Sequence, residues 1–248
     1  MKENNVKVKI RDLSKKFGDL LVLDKVSFDV REGEFLSVVG PTGCGKTTFL
    51  NSVTKLYEPS SGEIMVNSEP VDLKKHNISY IFQEKSTMEW LNVEKNIEFG
   101  LKIKGIPSDE RKAAVEEVLE MVGLKDYRDY YPHELSDSML QRVVIARAFA
   151  TKPELLLMDE PYGQLDIELR FKLEDELIAL WERTGTTVIF ITHNIEEAVY
   201  LSENILVLTN KPTSIKSIVK NDLPRPRSVI DKEFISLRNK VTELIKWW

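Results

Sequence analysis

The chain has very little cysteine and no long apolar run. Cys44 is the only cysteine among 248 residues, and a single thiol cannot form an internal disulfide, so nothing indicates an oxidising compartment. No stretch approaches the ~20 apolar residues that a membrane-spanning helix needs. The polar start of the chain, residues 1–5, also lacks the apolar core of a signal peptide. We therefore expect any connection to a membrane to pass through a partner protein.

The chain also lacks an excess of positive charge. Its 35 Lys and Arg residues face 40 Asp and Glu residues, which gives a formal net charge of −5. Proteins dedicated to nucleic acids usually carry a basic face or tail, so we expect no nucleic-acid partner, although a local basic patch is compatible with this composition. Hydrophobic residues make up 42% and charged residues 30%, typical of a globular chain with a full core. The length favours one domain over residues 1–248, with subdomains.

The spacing of apolar residues changes along the chain. Alternation over residues 6–10 and 20–30 predicts half-buried strands, whereas continuous apolar runs predict buried strands at residues 34–39, 155–158, 186–191 and 205–208. Helical spacing predicts helices at residues 46–55, at 167–183, at 195–201 and, after a Pro/Arg linker at 223–227, at 232–247. Between residues 92 and 150 the period is helical, with Ser108 as a predicted N-cap and Gly123 as a stop. The alternation of strands and helices near the end indicates βαβ units in a parallel sheet.

The most specific motif runs from Gly40 to Thr47. It matches G-x-x-x-x-G-K-[ST] and lies between a predicted strand and a predicted helix, which is the context that this motif requires. The glycines let successive backbone N–H groups turn toward one phosphate, and a helix N-terminus adds partial positive charge. Lys46 would reach the β- and γ-phosphates, and the Thr47 hydroxyl would hold Mg²⁺. A chance glycine-rich turn is the alternative. Cys44 is interpreted as a small filler, with a redox role as the second interpretation.

Further segments follow this loop in a fixed order, and together they resemble ABC transporter ATPases over residues 6–208. No single segment is decisive, but the ordered set is highly specific. The segments are Ile81-Phe82-Gln83 (Q-loop), Leu135-Ser136-Asp137-Ser138 and the helix after it (signature), Leu155-Leu156-Leu157-Met158-Asp159-Glu160 (Walker B and catalytic glutamate), Gly163-Gln164-Leu165-Asp166 (D-loop) and Ile191-Thr192-His193 (switch histidine).

The resemblance implies a fold and a working context. The fold is α/β, a P-loop NTPase with a RecA-like parallel core sheet, a peripheral antiparallel β-subdomain (about 6–37 and 62–79) and a helical subdomain (about 85–150). A linker and helix follow at about 221–248. The activity implied is ATP hydrolysis with ATP and Mg²⁺. The partners implied are a second ATPase subunit in a homo- or heterodimer, transmembrane permease subunits and, indirectly, a solute-binding protein, at the cytoplasmic face of the cell membrane.

The resemblance also implies roles for single residues. Glu160 would polarise the attacking water and His193 would contact the γ-phosphate, with Gln83 and Lys46 completing the catalytic set. Thr47, Gln83 and Asp159 would hold Mg²⁺. The nucleotide would be contacted by Phe17 at the adenine and by Gly40, Pro41, Thr42, Gly43, Cys44, Gly45, Lys46, Thr47, Thr48 and Asp166, with Ser136 directed to the ATP of the opposite subunit.

Each of these residues also has a purely structural interpretation. Two adjacent carboxylates after an apolar strand are costly to bury without partners, which favours a functional interpretation of Asp159 and Glu160. A solvated acidic strand end is the alternative. For Phe17, a position in the core is the minor alternative. A histidine after an apolar strand is often structural, so His193 gains its weight from its place in the set.

The signature segment departs from the family pattern. Asp137 and Ser138 stand where the family has glycines, and Leu140 replaces a usual polar residue. A carboxylate beside the partner's γ-phosphate would be repelled more strongly in a closed site than in water, and side chains block a close backbone approach. One interpretation is a weakened site in a heterodimer, a second is a slow homodimer, and a third is compensation by local geometry. Asn194, where aspartate is common, is a milder change.

A finer resemblance concerns the transported solute. Residues 90–97, 131–136 and 223–227 are similar to the importer subfamily for nitrate, sulfonates, taurine and bicarbonate, which predicts an importer of a small anion. The main alternative class is a soluble ABC-type protein of DNA repair or translation, which usually carries long coiled-coil insertions or two cassettes. A P-loop small-molecule kinase is the third class. It would need neither the Leu135-Ser136 segment nor His193.

Overall fold

The computed structural model describes residues 5–84, 86–163 and 166–245. The D-loop residues Gln164 and Leu165 and the terminal Trp247 and Trp248 lie outside this range. The chain divides into two compact units, of which the first contains the described residues up to His76 and from Thr187 onward, and the second contains those between Asn77 and Thr186. The prediction of a single domain over 1–248 stays a prediction.

The strands and helices alternate along most of the chain. In chain order they are β1 (Val6–Phe17), β2 (Leu20–Arg31), β3 (Phe35–Val39), α1 (Lys46–Val53), β4 (Ser61–Val66), β5 (Glu69–Pro70), β6 (Ile78–Ile81), α2 (Val93–Ile103), α3 (Ser108–Met121), α4 (Asp137–Ala150), β7 (Leu155–Asp159), α5 (Ile167–Thr184), β8 (Thr187–Ile191), α6 (Ile195–Leu201), β9 (Asn204–Leu208), β10 (Ile215–Lys220) and α7 (Lys232–Ile245). Short 3₁₀ turns lie at Lys125–Tyr127 and Pro132–Glu134. Within the described residues no helix is both long enough and apolar enough to cross a bilayer.

The first unit contains an antiparallel sheet with the strand order β2-β1-β4-β5. Gly62 shows how closely β4 approaches β1, because a Cβ at this position would lie 2.4 Å from the Asp12 backbone oxygen. The strands of this sheet lie within residues 6–31 and 61–70, so the sheet contains fewer residues than the predicted ranges of 6–37 and 62–79. Burial alternates along β2 as the alternating sequence predicts, but every residue of β3 is buried, which marks a strand of a parallel sheet. Residues 35–37 therefore belong to β3, and residues 78–79 belong to β6.

The first unit also contains a set of buried parallel strands. β3 pairs in parallel with both β8 and β9, and β10 closes the edge in antiparallel orientation against β9. All five residues of β3 and of β8 are buried, as expected for strands covered on both faces. The carboxyl ends of β3 and β8 consequently lie side by side, and this edge carries the loop that starts at Gly40. Strand β10 was absent from the sequence prediction because only Val219 of its six residues is buried.

The second unit pairs β6 with β7 in parallel and adds the helices α2 to α5. Helix α2 begins at a cap in which the Asn92 side chain accepts from the backbone N–H of Lys95 at 2.9 Å. Ser108, the predicted cap of α3, is its first helical residue, and Pro107 precedes it. Gly123 follows the helix with φ +65°, in agreement with the predicted stop. Helices α2, α3 and α4 lie inside the range predicted for a helical subdomain.

The C-terminal segment packs within the first unit, to which it belongs. Phe234 and Val241 of α7 are buried in a cluster that includes residues of α6 and β9. The Pro/Arg segment before α7 is also fixed, because the buried guanidinium of Arg227 donates to the carbonyls of Val199, Tyr200 and Ser202, each at 2.8 Å. The segment predicted as a linker therefore covers the carboxyl end of α6.

Candidate active site

The loop between β3 and α1 turns sharply around two glycines. Gly43 and Gly45 have φ values of +74° and +114°, a region that favours glycine. At Gly45 a Cβ would also lie 2.8 Å from Cγ1 of Val22 in β2, so the backbone touches the antiparallel sheet here. Because Gly45 has no side chain to cap α1, the first N–H groups of the helix are left for a ligand on the loop. This geometry suits a bound phosphate.

Lys46 lies along the inner side of the same loop. It is 6% exposed, and its ammonium group donates to the carbonyls of Gly40 at 3.1 Å and Pro41 at 3.3 Å. The charge is thus held over the loop rather than in solvent. Thr42 and Thr47 are exposed and Thr48 is half-buried. The loop therefore presents a cation and backbone donors, with the Thr47 hydroxyl on the first turn of α1.

Cys44 fills the space beneath the loop. It is 1% exposed, and its backbone N–H donates to the Pro41 carbonyl at 3.1 Å. Burial raises the pKa of the thiol, so its thiolate fraction at neutral pH is small. The hydroxyl of Thr213 donates to the Cys44 carbonyl and ties the loop to the β9–β10 connection. Neither a motif nor a periodicity of the sequence predicts this contact.

His193 lies two residues beyond β8. The register pairs Val38 with Ile191, and the N–H of Thr192 donates to the Val38 carbonyl at 3.2 Å. His193 is therefore at the same strand edge as the loop after β3, and it is exposed. The next residue, Asn194, caps α6 by accepting from the N–H groups of Glu196 and Glu197. Asparagine is as good an N-cap as aspartate, so the departure at Asn194 leaves the local fold intact.

In the second unit, the carboxyl ends of β6 and β7 bring three predicted residues to one edge. Ile81 is in register with Met158, so Gln83 lies just beyond the end of β6 where Asp159 ends β7 and Glu160 follows it. Asp159 is 3% exposed, and the Tyr80 hydroxyl lies 3.4 Å from its Oδ2. Tyr80 was not predicted as a site residue. No motif singles it out in the sequence, because its contact with Asp159 joins residues 79 positions apart.

Glu160 has an unusual backbone. Its φ is +46°, in the left-handed region that is costly for residues with a Cβ. The Gly163 N–H donates to the Glu160 carbonyl at 3.2 Å and closes the turn that follows. Such conformations persist where the surrounding structure enforces them, and they concentrate at functional sites. The half-buried Glu160 thus departs from the direction of β7 immediately after the buried Asp159.

Ser136 and Asp166 both cap helices. The Ser136 hydroxyl accepts from the Met139 N–H at 3.4 Å at the start of α4, and Asp137 is the first helical residue. The Asp166 carboxylate accepts from the Leu169 N–H at 2.9 Å at the start of α5. Phe17, at the end of β1, is 43% exposed. That exposure argues against the alternative that Phe17 belongs to the core.

Comparison with known proteins decides the family. The family model described as ABC transporter matches residues 23–163. An uncharacterized ABC transporter ATP-binding protein of Methanocaldococcus jannaschii is 42% identical over 245 residues, covering 97% of this chain and 92% of the relative. The chain belongs to the ABC transporter ATPase family. An aliphatic sulfonates import ATP-binding protein of Bacillus cereus is 39% identical over 244 residues, covering 97% of this chain and 96% of the relative.

Solved structures of ABC cassettes share the fold. A dimeric bacterial ABC transporter cassette is 30% identical, with a TM-score of 0.75, and the match covers 88% of this chain and all of that chain. A dimeric post-hydrolysis state of the same cassette, with ADP and Pi bound, matches equally well. The cassette cbiO1 of Clostridium perfringens, with a TM-score of 0.79 at 24% identity over 88% of this chain and 89% of that one, supports the fold alone.

These comparisons confirm four predictions for this ABC ATPase. They are the P-loop NTPase fold, the family, ATP binding and ATP hydrolysis. The predicted resemblance to the sulfonate importer subfamily is also confirmed, because similar proteins carry that name. Cassettes of this family act as dimers. The roles of single site residues stay predictions.

Proposed function

We propose that this chain is the ATP-hydrolysing motor subunit of an importer for a small anion, with an organic sulfonate as the first solute class to test. The observation that carries this proposal is near-full-length similarity, at 39–40% identity, to proteins named as aliphatic sulfonates import ATP-binding proteins. Segments 90–97 and 131–136 support the same branch. Nitrate and related anions are the neighbouring solutes.

In the proposed reaction the loop after β3 binds the phosphates of ATP. Backbone N–H groups of residues 40–48 and the Lys46 ammonium contact the β- and γ-phosphates. The oxygens of Thr47, Gln83 and Asp159 would hold Mg²⁺, which prefers hydroxyl, amide and carboxylate ligands and supplies charge neutralisation at the phosphates. The low exposure of Asp159 fits this role, because a buried carboxylate is best retained when it meets a cation.

Glu160 and His193 act on the attacking water and the γ-phosphate. The Glu160 carboxylate accepts a proton from the water as it attacks. The strained turn at Glu160 supports this role, because it sets the carboxylate apart from that of Asp159. His193 donates to a γ-phosphate oxygen from the strand edge that it shares with the loop after β3. Asp166, a cap of α5, contributes to the nucleotide site through the start of that helix.

The proposed assembly contains two ATPase subunits and a membrane permease. In the proposed dimer, Ser136 and the start of α4 face the nucleotide of the opposite subunit; a similar solved cassette is dimeric. The loop with Gln83 faces the permease subunits, which receive solute from a solute-binding protein. The chain then works at the cytoplasmic face of the membrane.

Asp137 favours a second candidate, a weakly hydrolysing member of a heterodimer. As the first residue of α4, its carboxylate lies at the positive end of the helix that would face the partner's phosphate. The same position explains why the protein tolerates the residue, since an acidic side chain stabilises a helix start. Asp137 thus stabilises the start of α4 but repels the partner's phosphate. A slow homodimer would show the same weak hydrolysis in the isolated chain.

The test is reconstitution of the complete transporter. The chain is co-expressed with the permease subunits and solute-binding protein encoded beside it, and the complex is placed in lipid vesicles. We expect ATP-dependent uptake of a labelled alkanesulfonate, abolished by Glu160→Gln. Failure of the chain to co-purify with any permease, or uptake that is unaffected by Glu160→Gln, would contradict the proposal. Co-purification with a second, different ATPase would establish the heterodimer.

A further inference from the structure

Phe17 and Tyr57 form an exposed pair of aromatic rings in the first unit. Their centroids are 5.3 Å apart with an interplanar angle of 86°, and the side chains are 43% and 39% exposed. This edge-to-face arrangement is favourable because the edge of one ring meets the face of the other. The Lys15 ammonium lies 4.9 Å from the Phe17 centroid and 5.9 Å from the Tyr57 centroid, within range of a cation–π contact.

Hydrogen bonds hold this pair in place from both sides. The Lys15 ammonium donates to the Glu58 carbonyl at 2.7 Å, and the Ser60 N–H donates to the Ser14 carbonyl at 2.8 Å, so the turn that carries Tyr57 is fixed to β1. The Tyr57 N–H donates to the Asn51 carbonyl at 3.0 Å in the last turn of α1. Two large rings are thus held in a fixed arrangement at the surface, and exposed apolar groups that lie together often mark a binding site.

The position of the pair relative to the phosphate loop suits a nucleoside. Phe17 pairs with Leu20 across the β1–β2 ladder, and Val22 of the same strand touches Gly45 of the loop. Two residues along a strand correspond to about 7 Å. Tyr57 is anchored to α1, the helix that the loop opens. Both rings are therefore fixed relative to the phosphate site.

We propose that Tyr57 is a second determinant of nucleotide affinity. With Lys15 it holds the Phe17 ring and forms with it a two-ring platform for the nucleobase. The inference rests on the proposed binding of nucleotide at the loop after β3. It adds that Tyr57 and Lys15 of this chain contribute to the affinity for the nucleotide. Because every base has a π-face, the platform discriminates little between purines.

The test separates base from phosphate recognition in the intact chain. Affinities for Mg·ATP and Mg·GTP are measured by calorimetry, and that for inorganic tripolyphosphate by competition with labelled ATP. We expect Tyr57→Leu to weaken ATP and GTP binding about two- to tenfold, the range that an aromatic pair contributes, and to leave tripolyphosphate binding unchanged. Tyr57→Phe keeps the ring and should bind ATP like the wild type. Leu56→Ala removes the neighbouring exposed apolar side chain and is the matched control.

Lys15→Met provides a second variant that keeps the length of the stem and removes the cation. It should shift ATP affinity in the same direction as Tyr57→Leu, again without an effect on tripolyphosphate. Unchanged ATP affinity in Tyr57→Leu would overturn the inference, as would an equal loss of ATP and tripolyphosphate binding, which would mean that Tyr57 acts through the loop. Wild-type protein that binds neither ligand would refute nucleotide binding at the loop and the inference with it.

Discussion

Replacing Arg227 with alanine is expected to destabilise the first unit substantially. The guanidinium is 9% exposed, and besides its three carbonyl partners at the end of α6 its Nε donates to the Leu223 carbonyl at 3.2 Å. Burial lowers the pKa of Arg227 to about 10. Because the folded pKa is below the unfolded one, the buried charge costs free energy at every pH below about 10. The cost is about 3 kcal/mol at 1.36 kcal/mol per pKa unit.

Truncation would nevertheless leave several buried carbonyls without a donor, and that loss is larger than the relief of the buried charge. Nη1 has two hydrogens for three carbonyls, so the guanidinium makes about three effective bonds of ~2 kcal/mol each, the magnitude typical of charged donors. The net contribution to the free energy of unfolding is then about 3 kcal/mol. For a chain of this length 1 kcal/mol corresponds to roughly 2–4 °C in Tm, so Arg227→Ala should lower Tm by about 6–12 °C.

The measurement is thermal unfolding by circular dichroism and calorimetry at pH 7. Arg225→Ala is the matched control, because Arg225 is half-buried where Arg227 is buried, and it donates to the Tyr200 and Leu201 carbonyls. It should lower Tm by less than half as much. Arg227→Lys keeps the charge but cannot span the carbonyls, so it should resemble the alanine variant. A Tm for Arg227→Ala within about 2 °C of wild type, or no lower than that of Arg225→Ala, would show that the segment does not stabilise α6.

Three further predictions concern the site. Glu160→Gln should bind ATP normally and hydrolyse it ~10²–10⁴-fold more slowly, as for loss of a general base; steady-state turnover near the wild-type rate would exclude that role. Lys46→Ala should lower ATP affinity sharply while leaving the fold intact, because its ammonium serves the phosphates; calorimetry that finds equal affinity would contradict it. Asp137→Gly with Ser138→Gly should increase ATP-dependent dimerisation about tenfold or more in a Glu160→Gln background, since a charge-assisted contact is worth ~1.5–3 kcal/mol. Equal light scattering with and without the two glycines would show that the charge is neutralised locally.

The sequence predicted the features that depend on local pattern. The loop at residues 40–47 has fixed spacing and flanks, and β3 and β8 are continuous apolar runs, so each could be located from neighbouring residues alone. The stop at Gly123 belongs to the same class as these features. Their causes lie within four or five positions of the chain.

Contacts between distant residues could not be predicted in this way. The hydroxyl of Thr213 meets the phosphate loop 169 positions earlier in the chain, and Arg227 reaches α6 across 25 to 28 positions. No periodicity records such contacts. The edge strand β10 was missed for a related reason, since its burial depends on its neighbour β9 and hardly on its own composition. Tyr57 is an exposed aromatic residue, and only its contact with the Phe17 ring indicates a role in binding.

The left-handed turn at Glu160 has a consequence for how this protein can change. A residue with a Cβ at φ +46° costs about 1 kcal/mol that glycine would not. Glu160→Gly should therefore fold at least as stably as wild type while losing hydrolysis. Thermal unfolding and an ATPase assay on the same variant would show stability kept and activity lost. A glutamate in this strained turn is not what stability alone would favour, and this supports the role in hydrolysis that we propose for Glu160.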